Sequence, residues 1–171
     1  FRERQCTLQV GGSDQWGNST AGVDLIRRID NGEAHGLVAP LVTMASGRKF
    51  GKTEEGAIYL DPALTSPYKF YQFWINTDDR DVEKYLKLFT HLGASEIAAI
   101  VAQQAKQAAK RPAQRGLAGA VTALVHGAEV LSGVQAASSI LFGEEQAEVH
   151  QQVFDVLAGE IPTVTVSADT D

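Results

Sequence analysis

"TLQVGGSDQWGNSTAGVDLIRRID", residues 7–30, decides the fold. Thr7–Val10 is a short run of β-prone residues that stops at Gly11-Gly12, as a strand does when it enters a tight loop. From Asn18 the period lengthens. Val23, Ile26 and Ile29 fall on one face of a helix, Asn18 or Ser19 can cap its start, and Arg27 and Arg28 suit its end. A second apolar run, "GLVAPLVTM" (36–44), reads as a buried strand. Strand, glycine-rich loop, helix and strand form a piece of a parallel α/β sheet. Ligands of such sheets lie at the carboxyl ends of the strands, where the glycine-rich loops are.

After residue 65 the pattern is helical throughout. Ser66-Pro67 is a cap followed by a first-turn proline, and "YKFYQFWI" is a dense aromatic helix whose rings belong mainly to a core. Asp78 can cap the next helix, with Val82, Tyr85, Leu86 and Phe89 on one face. Further helices are expected from Ser95, from Pro112 to Gly127, and near 128–141 and 144–158. The end, "IPTVTVSADTD", reads as a polar tail or linker. The expected division is therefore an α/β part over 1–65 and an all-α part over 66–171.

A length of 171 residues suits one domain or two small ones, and 44% apolar residues can build a core. No apolar run reaches the roughly 18 residues that a membrane span needs. Cys6 is the single cysteine, which excludes a disulfide framework and fits a reducing cytoplasm. The chain begins without Met in what reads as mid-fold, so a fragment is expected. Charge is uneven. All 15 Lys and Arg lie at or before Arg115, beside 13 acids, and residues 116–171 carry 8 acids and no base. This asymmetry fits either a solvated acidic surface or a tail held away from nucleic acid bound by the first part.

Two loops could carry chemistry. "GRKFGKTEEG" (47–56) sets Lys49 and Lys52 around Phe50-Gly51, so both ammonium groups can reach one phosphate, with the Thr53 hydroxyl as a further donor. It is not a P-loop: the glycine required five places before Gly51 is Ser46. A solvated basic turn is the alternative. "GGSDQWGN" (11–18) lets backbone approach a ligand, with Asp14 and Gln15 projecting beside it. A carboxylate there can accept from a ribose diol or an ammonium group, and an amide can donate and accept. The alternative is a turn in which Asp14 helps to cap the helix, with Trp16 as packing. The carboxylates of "DDRD" (78–81) read as helix capping, and His35, His91, His126 and His150 share no metal-ligand spacing, so no metal site is expected.

Taken together, "LQVGGSDQWGNSTAG", "PLVT", "GRKFGKTEEGAIYLD" and "TSPYKFYQFWINTDDRDVEKYLKLFTHL" closely resemble the bacterial tyrosyl-tRNA synthetases, densely over residues 7–92 and thinly through "LAGAVTALVHG". The resemblance implies the C-terminal part of a Rossmann-like class I catalytic domain, followed by a helical anticodon-recognition domain. It implies activation of tyrosine by ATP, with Mg²⁺ carried by the nucleotide, and transfer to tRNA(Tyr) by a cytoplasmic homodimer with no membrane partner. It further implies roles by position. Lys49, Lys52 and Thr53, in the family's version of the KMSKS loop, stabilise departing pyrophosphate. Gly12 and Asp14 meet the adenylate ribose, Gln15 and Gln9 the aminoacyl portion, and Leu41 and Val42 border the adenine.

The chain departs from that family: no His-x-Gly-His motif occurs in it, and the expected fragment lacks the N-terminal half of the catalytic domain, with the residues that read the tyrosine hydroxyl, and the family's small C-terminal RNA-binding domain. These 171 residues alone are therefore expected not to catalyse. A tryptophanyl-tRNA synthetase-like ligase and a non-catalytic RNA-binding protein on the same scaffold are the competing readings.

Overall fold

The computed structural model describes residues 1–47, 50–53, 56–142, 151–162 and 164. Two compact units emerge, Phe1–Phe50 and Gly51–Asp171.

In the first unit β1 (Leu8–Gly12) pairs in parallel with β2 (His35–Ala39), in register from Leu8↔His35 to Gly12↔Ala39. Helix α1 (Trp16–Asp30) connects them, which makes the βαβ unit that the sequence predicts. The helix start differs from expectation. A 3₁₀ turn, Ser13–Gln15, runs straight into α1, and the Trp16 N–H donates to the Ser13 carbonyl. No side-chain cap forms at Gln15; Asn18 instead donates to Gln15 Oε1 at 2.9 Å, and Ser19 is buried. Asp24 pairs with Arg27 and Arg28, both at 2.6 Å, in the turn where cations complement the helix dipole. β2 stops at Ala39, because Pro40 has no N–H to continue a ladder. It is also not the buried strand expected: Leu8, Val10 and Leu37 are more than half exposed, since two strands and one helix cover only one sheet face.

The second unit opens with a short antiparallel pair, β3 (Lys52–Thr53) and β4 (Gly56–Ala57). Among the described residues six α-helices follow: α2 (Pro67–Ile75), α3 (Asp79–Phe89), α4 (Ala94–Lys106), α5 (Pro112–His126), α6 (Ala128–Leu141) and α7 (Gln151–Glu160). Ser66 and Asp78 cap α2 and α3 through the Lys69 and Arg80 N–H groups, as the sequence predicts. Bidentate Arg80 also holds the Asp78 carboxyl far below the usual carboxylate range. Helix α4 starts one residue before Ser95, because the Glu96 carboxylate accepts the Gly93 N–H at 2.7 Å. The first half of the helix expected over 144–158 lies outside the described residues. The core joins Phe70, Tyr71 and Trp74 to Tyr85, Leu86, Leu117, Val121 and Val134. Edge-to-face rings run from Phe70 through Trp74 to Phe89, at centroid separations of 6.1 and 5.1 Å. Ser66 Oγ also donates to Glu160 on α7, 94 residues away, beside Tyr68, which packs on Val153 and Leu157.

Gln114 is fully buried at the start of α5 and donates to the Thr77 carbonyl at 3.3 Å and to the Asp79 carboxylate. Asp79 accepts from Gln104 as well, so one amide helps to fasten α3, α4 and α5 together. Gln114→Ala removes these bonds and leaves a cavity, with an expected cost of about 2–4 kcal/mol. Urea unfolding followed by circular dichroism checks this, and a loss below about 1 kcal/mol would refute the role.

His126, at the end of α5, lies edge-on to Phe70 at 4.9 Å, and its Nε2 is buried without a partner. Burial lowers its pKa from the ordinary 6.5, so the fold favours neutral imidazole. Its contribution to stability is thus complete above pH 6.5 and is lost as pH falls below that value, toward the lowered native one. The difference in urea midpoint between the native chain and His126→Gln is expected to shrink as pH falls through this window; a constant difference would contradict it.

Candidate functional site

The carboxyl ends of β1 and β2 lie side by side, with Gly11↔Val38 and Gly12↔Ala39 paired. Gly12 has φ −74° and ψ 161°, extended backbone that any residue adopts. Its lack of a side chain serves space instead. A Cβ there would stand 2.7 Å from Asp14 Oδ1 and 2.9 Å from Leu41 Cδ2. Gly12, Asp14 and Leu41 therefore converge on one spot, with carboxylate and apolar wall a methyl group apart. Among the described residues Asp14 has no hydrogen-bond or ion-pair partner, so its oxygens are available to a ligand's donors.

Strand alternation separates the other candidates. Gln9 is the register partner of Gly36, where a Cβ would meet the Ser19 side chain of α1 at 3.3 Å. A Cβ on Gly11 would lie 3.4 Å from Gln15 Cβ. Gln9 and Gln15 thus belong to the face that α1 covers, whereas Gly12 faces the side shared with exposed Val10 and Leu37. Val42 is half-buried, and its carbonyl accepts the Phe50 N–H at 3.3 Å.

The lysine loop is bracketed by Gly47 and Gly51, at φ +79° and +78°. This is the left-handed region that glycine enters without strain. Lys49 lies outside the described residues. Lys52 and Thr53 form β3, in register with Ala57 and Gly56. The predicted residues accordingly divide: Gln9, Gly12, Asp14, Gln15, Leu41 and Val42 belong to the first unit, Lys52 and Thr53 to the second. Among the described residues no group of three His, Cys, Asp or Glu side chains is placed to hold a metal ion. No helix among them is long and apolar enough to cross a membrane.

The sequence reading gave no part to a 350 Å³ cleft lined by Trp16, Ser19, Thr20, Asp24, Arg27 and His35. Ser19 Oγ is buried there without a partner, and Trp16, expected as packing, is 54% exposed at its edge. The signal was present: residues 16, 20 and 24, like 19, 23 and 27, recur every four positions and so share one side of α1.

Comparison with known proteins adds the following. The family model described as tRNA synthetases class I (W and Y) matches residues 2–143. The tyrosine–tRNA ligase of Anaeromyxobacter dehalogenans is 60% identical over 170 residues, 99% of this chain and 40% of the relative. That of Porphyromonas gingivalis is 51% identical over 93% of this chain and 38% of its own length. Among solved structures, a C-terminally truncated mitochondrial tyrosyl-tRNA synthetase from Aspergillus nidulans superposes with a TM-score of 0.66 at 33% identity, over 80% of this chain and 41% of that one. The chain spans about 40% of the length of the first of these curated relatives.

Proposed function

This chain belongs to the class I tRNA synthetases of the tryptophan and tyrosine branch, and on that premise we propose that the protein carrying it is a tyrosine–tRNA ligase. The tyrosine carboxylate attacks the α-phosphorus of ATP; a C–O–P anhydride forms, and pyrophosphate leaves. A ribose hydroxyl at the end of tRNA(Tyr) then attacks the tyrosyl carbonyl, and AMP leaves.

The observation that carries this reading is the crowding at Gly12. Gly12 lets the Asp14 carboxylate and the Leu41 side chain converge beside it, so a ribose held next to them can donate its hydroxyls to Asp14 while Leu41 borders the base. Leu41 and Val42 offer the adenine an apolar border, and Gln9 and Gln15 face the aminoacyl portion. Lys49, Lys52 and Thr53 meet the pyrophosphate charge as it separates, and Mg²⁺ arrives with the nucleotide. Residues 1–65 act as part of the catalytic domain and residues 66–171 as the anticodon-recognition domain of a cytoplasmic homodimer.

The test is a chimera in which this chain replaces its counterpart in the 60%-identical bacterial relative. Tyrosine-dependent ATP–pyrophosphate exchange at the relative's rate is expected. Exchange driven by tryptophan would assign the sister activity, and absence of exchange from a folded chimera would leave a non-catalytic RNA-binding protein.

A further inference from the structure

Gln15 ends the 3₁₀ turn Ser13–Gln15 and stands at the cap position of α1, yet its side chain makes no capping bond. It is anchored at two other points. Its stem lies beside Gly11, where an added Cβ would stand 3.4 Å from Gln15 Cβ and 3.7 Å from Cγ. Its amide oxygen accepts from Asn18 Nδ2 at 2.9 Å. Asn18 lies in the first turn of α1, three positions on from Gln15 and on the same side of the helix. In a capping box the side chain at this place reaches back to the backbone of the cap residue. Here it reaches back to the cap residue's side chain instead. Among the described residues no other hydrogen bond engages either amide.

This bond decides which end of Gln15 a ligand meets. A primary amide accepts through its oxygen and donates through its nitrogen. Tyrosine offers both complements side by side, an ammonium group for the oxygen and a carboxylate for the NH₂ group. The two ends of the amide diverge from one carbon, so with Oε1 turned to Asn18 the NH₂ group is the end turned away from it. We propose that Asn18 is a positioning residue: it holds Gln15 so that the Gln15 NH₂ group donates to the carboxylate of tyrosine, and the α-ammonium group is left to acceptors elsewhere. The inference rests on the tyrosine–tRNA ligase reading, in which Gln15 faces the aminoacyl portion.

Equilibrium dialysis of the chimera and its variants tests it, with two ligands: tyrosine, and tyrosinol, which carries a hydroxymethyl group in place of the carboxylate. Asn18→Ala removes the brace, and tyrosine is expected to bind about 2- to 12-fold more weakly, the worth of one neutral hydrogen bond. The side chain of Asn18→Asp can only accept, so it draws the Gln15 NH₂ group to itself and turns Oε1 to the ligand. Tyrosine is then expected to bind about 10- to 150-fold more weakly, the worth of a hydrogen bond to a charged group. Tyrosinol is expected to change little, because its hydroxyl can donate to that oxygen. A carboxylate in the first turn also complements the helix dipole, so this variant is expected to melt no lower than the native chimera. On a Gln15→Ala background, Asn18→Asp is expected to have no further effect on tyrosine. The inference is overturned if Asn18→Asp weakens tyrosine and tyrosinol alike, which marks a structural role. It is equally overturned if the effect on tyrosine persists on the Gln15→Ala background, which marks direct repulsion by the introduced carboxylate, or if both Asn18 variants bind tyrosine like the native chimera. Failure of the ligase reading is distinct: the native chimera itself would then show no tyrosine-dependent exchange and would take this inference with it, whereas failure of the inference alone leaves that exchange intact.

Discussion

Lys52→Ala in the chimera is expected to slow tyrosyl-adenylate formation by about 10²- to 10³-fold, the range for loss of one preorganised transition-state donor. The affinities for tyrosine and ATP are expected to change far less. Lys52 follows Gly51, held at φ +78°, and its backbone is fixed in β3 against Ala57. In the role proposed for it, Lys52 meets pyrophosphate charge most strongly once the α–β bond has opened. Its contribution then belongs to the transition state and appears in kcat rather than KM. Lys49→Ala is expected to behave alike, and the double variant to lose less than the product of the single losses, because both lysines are proposed to hold one group. Pre-steady-state quench measures the step directly. A tenfold rise in the ATP KM at an unchanged maximal rate would make the loop a ground-state clamp instead.

Gly12→Ala is expected to lower kcat/KM for adenylate formation about 10²-fold, the scale of an ångström-sized misplacement at a reacting centre. Alanine adopts the backbone angles of Gly12 freely, so the fold has no reason to resist it. The added methyl, however, falls 2.7 Å from Asp14 Oδ1 and 2.9 Å from Leu41 Cδ2. One of them must move, and with it either the acceptor proposed for the ribose or the wall proposed for the adenine. The melting temperature is expected to stay within a few degrees of the native value, a shift worth about 1 kcal/mol at most. Equal loss of activity and stability would make Gly12 a folding residue, and retention of activity would remove the nucleotide from this spot.

Local rules made the helical unit legible. Ser66, Asp78, Pro112 and Gly127 mark helix boundaries through groups that act within a few residues of themselves. The βαβ unit was legible in the same way, from the switch of period at Gly11-Gly12. What escaped depends on contacts that no local pattern encodes. Gln114 looks like any surface amide of a helix, and its burial is set by Thr77 and Asp79, more than thirty positions earlier. The exposure of Leu37 and Val10 contradicts their composition, because burial is a property of neighbours. At the candidate site the residue types of the glycine-rich loop were readable, whereas the reason for Gly12 was not. Sequence suggested close approach of a ligand to the backbone; the structure shows that the Asp14 and Leu41 side chains already share the space beside Gly12.

The hydrogen bond from Ser66 to Glu160 closes the helical bundle on itself, because it ties the residue that caps α2 to the last residue of α7. Topologically, the bundle is a loop whose entrance and exit coincide. Such an arrangement can be spliced into a host chain, or lifted out of it, without stretching the host across the gap. It is also expected to tolerate circular permutation: a short linker joining the neighbourhoods of Ser66 and Glu160, with new ends cut between α3 and α4, keeps the described helices whole. The bundle thus has the geometry of an exchangeable cassette, whatever chain carries it.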